Sequence, residues 1–164
     1  MEKENIKVHL PRWEELPNID LYLDQVVNVM EEYLTDFVAI REDKIITKTM
    51  INNYVKHGVL KSPENKKYNK SHLAKLIVIC ILKQLYSINE ISNLINLAVD
   101  LSQIEKSYNR FCEALENAID ATFNKRTFEI ENITDETEIL KAVVLSFSNK
   151  LYVEKSFLNK ENNK

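Results

Sequence analysis

A single glycine, Gly58, and three prolines, Pro11, Pro17 and Pro63, punctuate this chain of 164 residues. So few turn-forming residues leave little material for the reversals of a multi-stranded sheet, and the chain reads as all-α. Apolar residues recur at helical spacing between the breaks. Pro17 and Asn18 close an opening segment. Asn18 or Asp20 then stands where it would cap a helix carried by Ile19, Leu23, Val26, Val27, Met30, Leu34 and Phe37. "AIREDK", residues 39–44, interrupts. Thr47 or Thr49 would cap a short helix whose apolar side is Met50, Ile51, Tyr54 and Val55, and Gly58 would end it as a left-handed cap.

"KSPENKKYN" reads as an exposed loop around Pro63. The most apolar helix begins at Ser71 and runs from Leu73 to Leu85, with apolar residues around most of its circumference, as expected of a central element. Ser87 and Glu90 have capping-box spacing, ahead of the stripe Ile88, Ile91, Leu94 and Ile95. Another periodic run spans Leu101 to Phe123. "RTFEIEN" alternates and reads as a short strand or an extended link. Thr134 would cap a last helix, Ile139 to about Phe157, and the tail after Leu158 is expected to fray.

With 45% hydrophobic and 29% charged residues, the chain supports one compact domain, or a small domain with a helical annex, and is not of disordered type. The expected organisation is an N-terminal arm (1–18), a helix-turn-helix-like region (19–98), an acidic helical region for dimerisation or a partner (99–158), and a tail (159–164). Cys80 and Cys112 lack a CxxC partner, which argues against a disulfide scaffold or zinc knuckle. "MEKENIKVHLPRW" has no signal-peptide core, and the apolar run Leu76 to Leu82 is too short to span a bilayer. The default expectation is a reducing cytoplasm and no membrane.

Catalytic chemistry is hard to find. His57 and His72 have no carboxylate beside them at ligand spacing and are expected to face solvent or phosphate, rather than a metal. Cys80 sits in "LIVICIL", where a thiol acts as a small hydrophobe. The acid pairs Glu14/Glu15, Glu31/Glu32 and Asp135/Glu136 are sequence neighbours that diverge on a helix. With one glycine there is no phosphate-cradling loop. The expectation is a non-enzymatic chain without cofactor, metal or catalytic residue. Trp13 is expected to dock the arm on the helices, with a partner platform as the alternative.

The informative feature is charge. The net value is −3, yet Lys44 to Lys83 holds nine lysines and one acid, Glu64, a local +8 that leaves −11 on the remainder. The plain alternative is a solvated helical face; the sharper reading is a focused positive field. The short helix turns Lys48, Thr49, Asn52, Asn53 and Lys56 away from its apolar side. Asparagine pairs bidentately with adenine, and lysine and threonine suit phosphates and base edges. Lys61, Lys66 and Lys67 would flank that helix as a wing, with Lys70 just beyond and Tyr68 pinning the loop to the core. Double-stranded DNA is the expected partner.

"ITKTMINNYVKHGVL…YNKSHLAKL…YSINEI", within Ile46 to Ile95, resembles the DNA-binding domain of MerR-type regulators. Thr47 matches that family's helix cap, Met50 its threonine and Ile51 its core leucine. Asn52 and Asn53 replace an arginine and a tyrosine; Tyr54 matches a second tyrosine, which the resemblance implies touches the phosphate backbone. Gly58, Val59 and Leu60 match a glycine and two aliphatics. Tyr68, His72 and Leu73 match a tyrosine, aspartate and leucine at the wing's end. Tyr86, Ser87, Ile88, Glu90 and Ile91 match the start of the next helix. The resemblance implies a winged helix-turn-helix fold with additional C-terminal helices and transcriptional regulation; a homodimer is expected because paired half-sites are the usual route to affinity and specificity for such domains. The chain departs from it in the first helix, which lacks the glycine turn, in the shorter wing, at Leu85 in place of a glycine, and in having no evident long dimerisation helix.

The whole chain, including "LPRWEELPNIDLYLDQVV", looks closer still to a family of uncharacterised bacterial proteins, domain of unknown function 1836, which brings no activity with it. The alternative function is a scaffold module whose basic face meets an acidic protein, or the acidic half of a second copy. RNA binding and an unrecognised enzyme complete the expectations.

Overall fold

The computed structural model describes residues 6–39, 44–101 and 103–159. The break at 40–43 within "AIREDK" and the fraying of 160–164 lie outside the described residues. The fold is all-α with a two-stranded patch of sheet. A 3₁₀ turn, Trp13–Glu15, leads to β1 (Leu21–Tyr22), α1 (Leu23–Leu34) and a second 3₁₀ turn, Thr35–Phe37. There follow α2 (Lys48–Lys56), β2 (Lys67–Tyr68), α3 (Lys70–Leu82), α4 (Ile88–Leu101), α5 (Ile104–Phe123) and α6 (Asp135–Val153), which widens into a π-helical turn, Glu154–Leu158.

Most helix ends follow the capping residues. Thr47 Oγ1 accepts the Met50 N–H at 3.2 Å. The Ser87 N–H donates to Glu90 Oε2 at 2.7 Å while Ser87 Oγ accepts the Glu90 N–H at 3.3 Å. Thr134 Oγ1 accepts the Thr137 N–H at 3.3 Å, so α6 starts at Asp135, four residues before Ile139. Gly58, at φ 73°, closes α2: the Val59 N–H reaches the Tyr54 carbonyl and the Gly58 N–H the Val55 carbonyl, both at 3.0 Å. That pair of bonds is a Schellman stop.

Two expectations are corrected, and one left open is decided. The first long helix begins at Leu23, because Leu21 and Tyr22 pair antiparallel with Tyr68 and Lys67; Ile19 is left 71% exposed, and Gln25 instead of Asn18 or Asp20 caps α1 by accepting the Tyr22 N–H at 2.9 Å. The central helix starts at Lys70, capped by Asn69 Oδ1 on the His72 N–H at 3.2 Å. "RTFEIEN" forms no strand and runs as an extended link.

α3 is the centre, with nine of its 13 residues buried, including Leu73, Leu76, Ile77 and Ile79 at 0% exposure. α1 packs across it, and α5 with α6 forms the most extensive helix pair. One cluster of buried side chains runs from Leu10 to Leu151, so the regions divided at residue 98 share a core. The N-terminal arm is part of that core: Leu10 and Leu16 are buried, the Tyr108 hydroxyl donates to the Pro11 carbonyl at 2.6 Å, and Glu116 accepts from the Leu10 N–H and both Arg12 Nη atoms at 2.7–2.8 Å. Trp13 packs half-buried against the core, and its backbone N–H donates to Asn109 Oδ1 at 2.8 Å, which is the docking role expected of it.

Candidate nucleic-acid interface

The entry to α2 is tied from two sides. Ile45 and Ile46 are buried; the Ile45 N–H donates to Glu31 Oε1 of α1 at 2.8 Å, and its carbonyl accepts from the Lys83 ammonium at the end of α3. The helix then lays Ile51 fully into the core, with Met50, Tyr54 and Val55 half-buried beside it. Burial pushes the Tyr54 phenol up to about 12, so it stays neutral at any physiological pH. Tyr54 therefore belongs to the inner side of α2.

Thr49, Asn52, Asn53 and Lys56 are exposed. Their spacing, i, i+3, i+4 and i+7, puts them on one face. Lys48, also exposed, forms an ion pair with Asp24 of α1. That pair bridges the start of α2 to α1.

The loop after α2 is more ordered than its composition predicts. Asn65 and Lys66 are both left-handed, at φ 49° and 63°, and the Lys67 N–H returns to the Glu64 carbonyl at 2.9 Å. Consecutive left-handed residues make a hairpin turn of the I′ kind, whose twist suits flanking strands. One limb continues as β2 and pairs with β1. Tyr68 is 3% exposed and pins the hairpin as expected, while Lys66 at its tip is exposed.

His72 is the residue that sequence reasoning misplaced. It is not solvent- or phosphate-facing: it is buried, its Nδ1 accepts the Asn69 N–H at 3.0 Å, and its Nε2 lies 3.1 Å from the Lys61 carbonyl. A neutral ring protonated on Nε2 satisfies both contacts. One side chain thus holds the outgoing and returning ends of the hairpin loop, with the Tyr68 ring edge-on at 5.2 Å. The available signal was His72 three residues after the Asn69 cap, the spacing of a capping box.

The nine lysines do not all face outward as free charge. Lys70 donates to the Trp13 carbonyl at 3.2 Å, Lys67 lies 5.2 Å from the Tyr22 ring centroid, and Lys83 turns to Ile45. Lys56, Lys61 and Lys66 are exposed. Both cysteines are buried, and burial pushes Cys80 up to about 12 and Cys112 to about 11, which makes them poor nucleophiles. Among the described residues no group of three or more His, Cys, Asp or Glu is placed to hold a metal ion, and no helix is long and apolar enough to cross a membrane.

A family model described as "Domain of unknown function (DUF1836)" matches residues 11–111. The chain belongs to that family. The matched span runs from the docked arm through α2, the hairpin and α3 into α5, so it contains the whole candidate interface; α6 lies beyond it. No curated protein and no solved structure matches the chain.

Proposed function

We propose that this DUF1836 chain is a sequence-specific, non-enzymatic DNA-binding protein acting in transcriptional regulation as a homodimer. α2 enters the major groove and the Glu64–Lys67 hairpin serves as a wing on the flanking backbone. The observation that carries this reading is the outer face of α2: Thr49, Asn52, Asn53 and Lys56 all lie open to solvent on a helix anchored at both ends. Burial of those side chains within the subunit would have removed it. The order β1, α1, α2, hairpin, α3 and the pairing of the hairpin with β1 support a MerR-like winged arrangement. In this arrangement Asn52 and Asn53 read bases, Lys56, Lys61 and Lys66 neutralise phosphates, and Lys48 exchanges Asp24 for phosphate. Lys67 and Lys70 act mainly through the wing and arm they hold.

A second reading, docking of an acidic protein, draws on Tyr22, 53% exposed beside Lys67, and on Ile19, 71% exposed. Incubation with a pool of genomic fragments at low and then near-physiological salt, followed by sequencing of the bound fraction, separates the two. A discrete enriched motif that persists as salt rises supports the DNA reading. Absence of binding even at low salt sinks it in favour of protein docking.

A further inference from the structure

Along α3 from Ala74 to Leu82, a cavity of about 120 Å³ opens between α3, α4, α5 and α6. Its walls are almost wholly apolar, formed by Val78 and Leu82 of α3, Leu94 and Ala98 of α4, Phe111 of α5 and Leu140 of α6. An apolar cavity of about 150 Å³ takes up benzene, so the space suits a single small ring or a short branched chain. The α4 stripe is correspondingly under-buried: of its Ile88, Ile91, Leu94, Ile95 and Leu97, only Ile91 is buried, and Leu97 is 44% exposed. An occupant would remove that surface from water.

Among the described residues, the polar groups around this space are matched except for one. Ser107 Oγ donates to the Ala98 carbonyl at 3.2 Å, and the Tyr108 hydroxyl is engaged by Pro11, leaving its ring as wall. Arg110 and Glu136 pair at 3.1 Å between α5 and α6. Lys75 of α3 also borders the cavity, and among the described residues it has no ion-pair or hydrogen-bond partner. An apolar space open to solvent, with an unmatched cation at its border, is complementary to a molecule with an apolar body and a single negative end.

We propose that this cavity binds a small carboxylic acid with an apolar body of about six carbons, the body among α3, α4 and α5 and the carboxylate on Lys75. The site does not depend on the DNA reading, since it lies on other elements and its test involves no nucleic acid.

Benzoate and its uncharged counterpart benzyl alcohol are the probes, titrated against the full chain with labelled Val78, Leu82 and Leu94 methyl groups observed by NMR. Saturable shifts are expected for both, with benzoate binding roughly tenfold more tightly, the lower end of what a charge-assisted hydrogen bond contributes. Lys75→Gln is expected to erase that preference while leaving benzyl alcohol unchanged. Val78→Phe, which fills the space, is expected to abolish both. Should Val78→Phe fail to fold, Lys75→Gln alone decides. The proposal is overturned if benzoate has no advantage, if Lys75→Gln leaves the advantage intact, or if the filled variant still binds. It is equally overturned if neither probe gives saturable shifts, or if sedimentation shows a dimer that covers these methyl groups without ligand.

Discussion

α2 and α3 are neighbours in the same lysine-rich stretch, yet they do opposite work. α2 commits one residue, Ile51, fully to the core and leaves Lys48, Thr49, Asn52, Asn53 and Lys56 exposed. α3 commits nine residues to the core. Two of the lysines on and beside it are used locally: Lys70 holds the arm and Lys83 holds the entry to α2, while Lys75 borders the cavity. Charge density along a sequence therefore overstates a binding surface, because a helix packed on most sides turns its cations into structural donors. The surface that remains belongs to the helix with the smaller share of the core.

The sharpest way to break that comparison is to truncate one residue on each helix. Leu76→Ala in α3 is expected to lose about 3–4 kcal/mol in urea unfolding, against less than about 0.5 kcal/mol for Asn52→Ala. A comparable loss at Asn52 would mean that α2's outer face is structural. Next in size is His72→Ala, which leaves the Asn69 N–H and Lys61 carbonyl unmatched and should cost about 2 kcal/mol, with faster amide exchange across residues 61–69.

Lys83→Met against Lys56→Met tests the division among lysines. The first should lower stability by about 1 kcal/mol by freeing the Ile45 carbonyl. The second should leave stability unchanged and reduce the salt slope of DNA binding by about one unit. Stability losses of equal size would erase the distinction between the two cations. The smallest effect separates wing geometry from wing charge: Lys66→Gly should raise stability by about 0.5–1 kcal/mol, since Lys66 sits at φ 63°, while weakening binding to all duplexes alike. A loss of stability there would show that the hairpin does not need its left-handed residue.

Much of the helical framework was legible in the chain. Thr47, Gly58, Ser87 with Glu90, and Thr134 act through bonds to residues within five positions, so their signals survive without knowledge of the fold. The outer face of α2 was legible for the same reason, because Ile51 and the 3.6-residue repeat already separate inside from outside. The misreading of the first helix involves a partner far away in sequence. Ile19 and Tyr22 have helical spacing with Leu23 and Val26, but β2, more than 40 residues later, captures the backbone of Leu21 and Tyr22 first. His72 has the composition of a surface residue and becomes a buried tie only because Lys61 and Asn69 converge on its two nitrogens.

Local hydrogen bonding and helical periodicity thus determined by themselves that this protein is helical, where most of its helices stop, and which side of α2 is polar. Tertiary packing decided the rest: the β1–β2 pairing, the inward duties of Lys70 and Lys83, and the gap between α3, α4 and α5. The physical reason is range. A cap or an apolar stripe is satisfied within a few residues of itself, whereas a strand partner, a carbonyl for a lysine or the wall of a cavity must be delivered by another part of the chain.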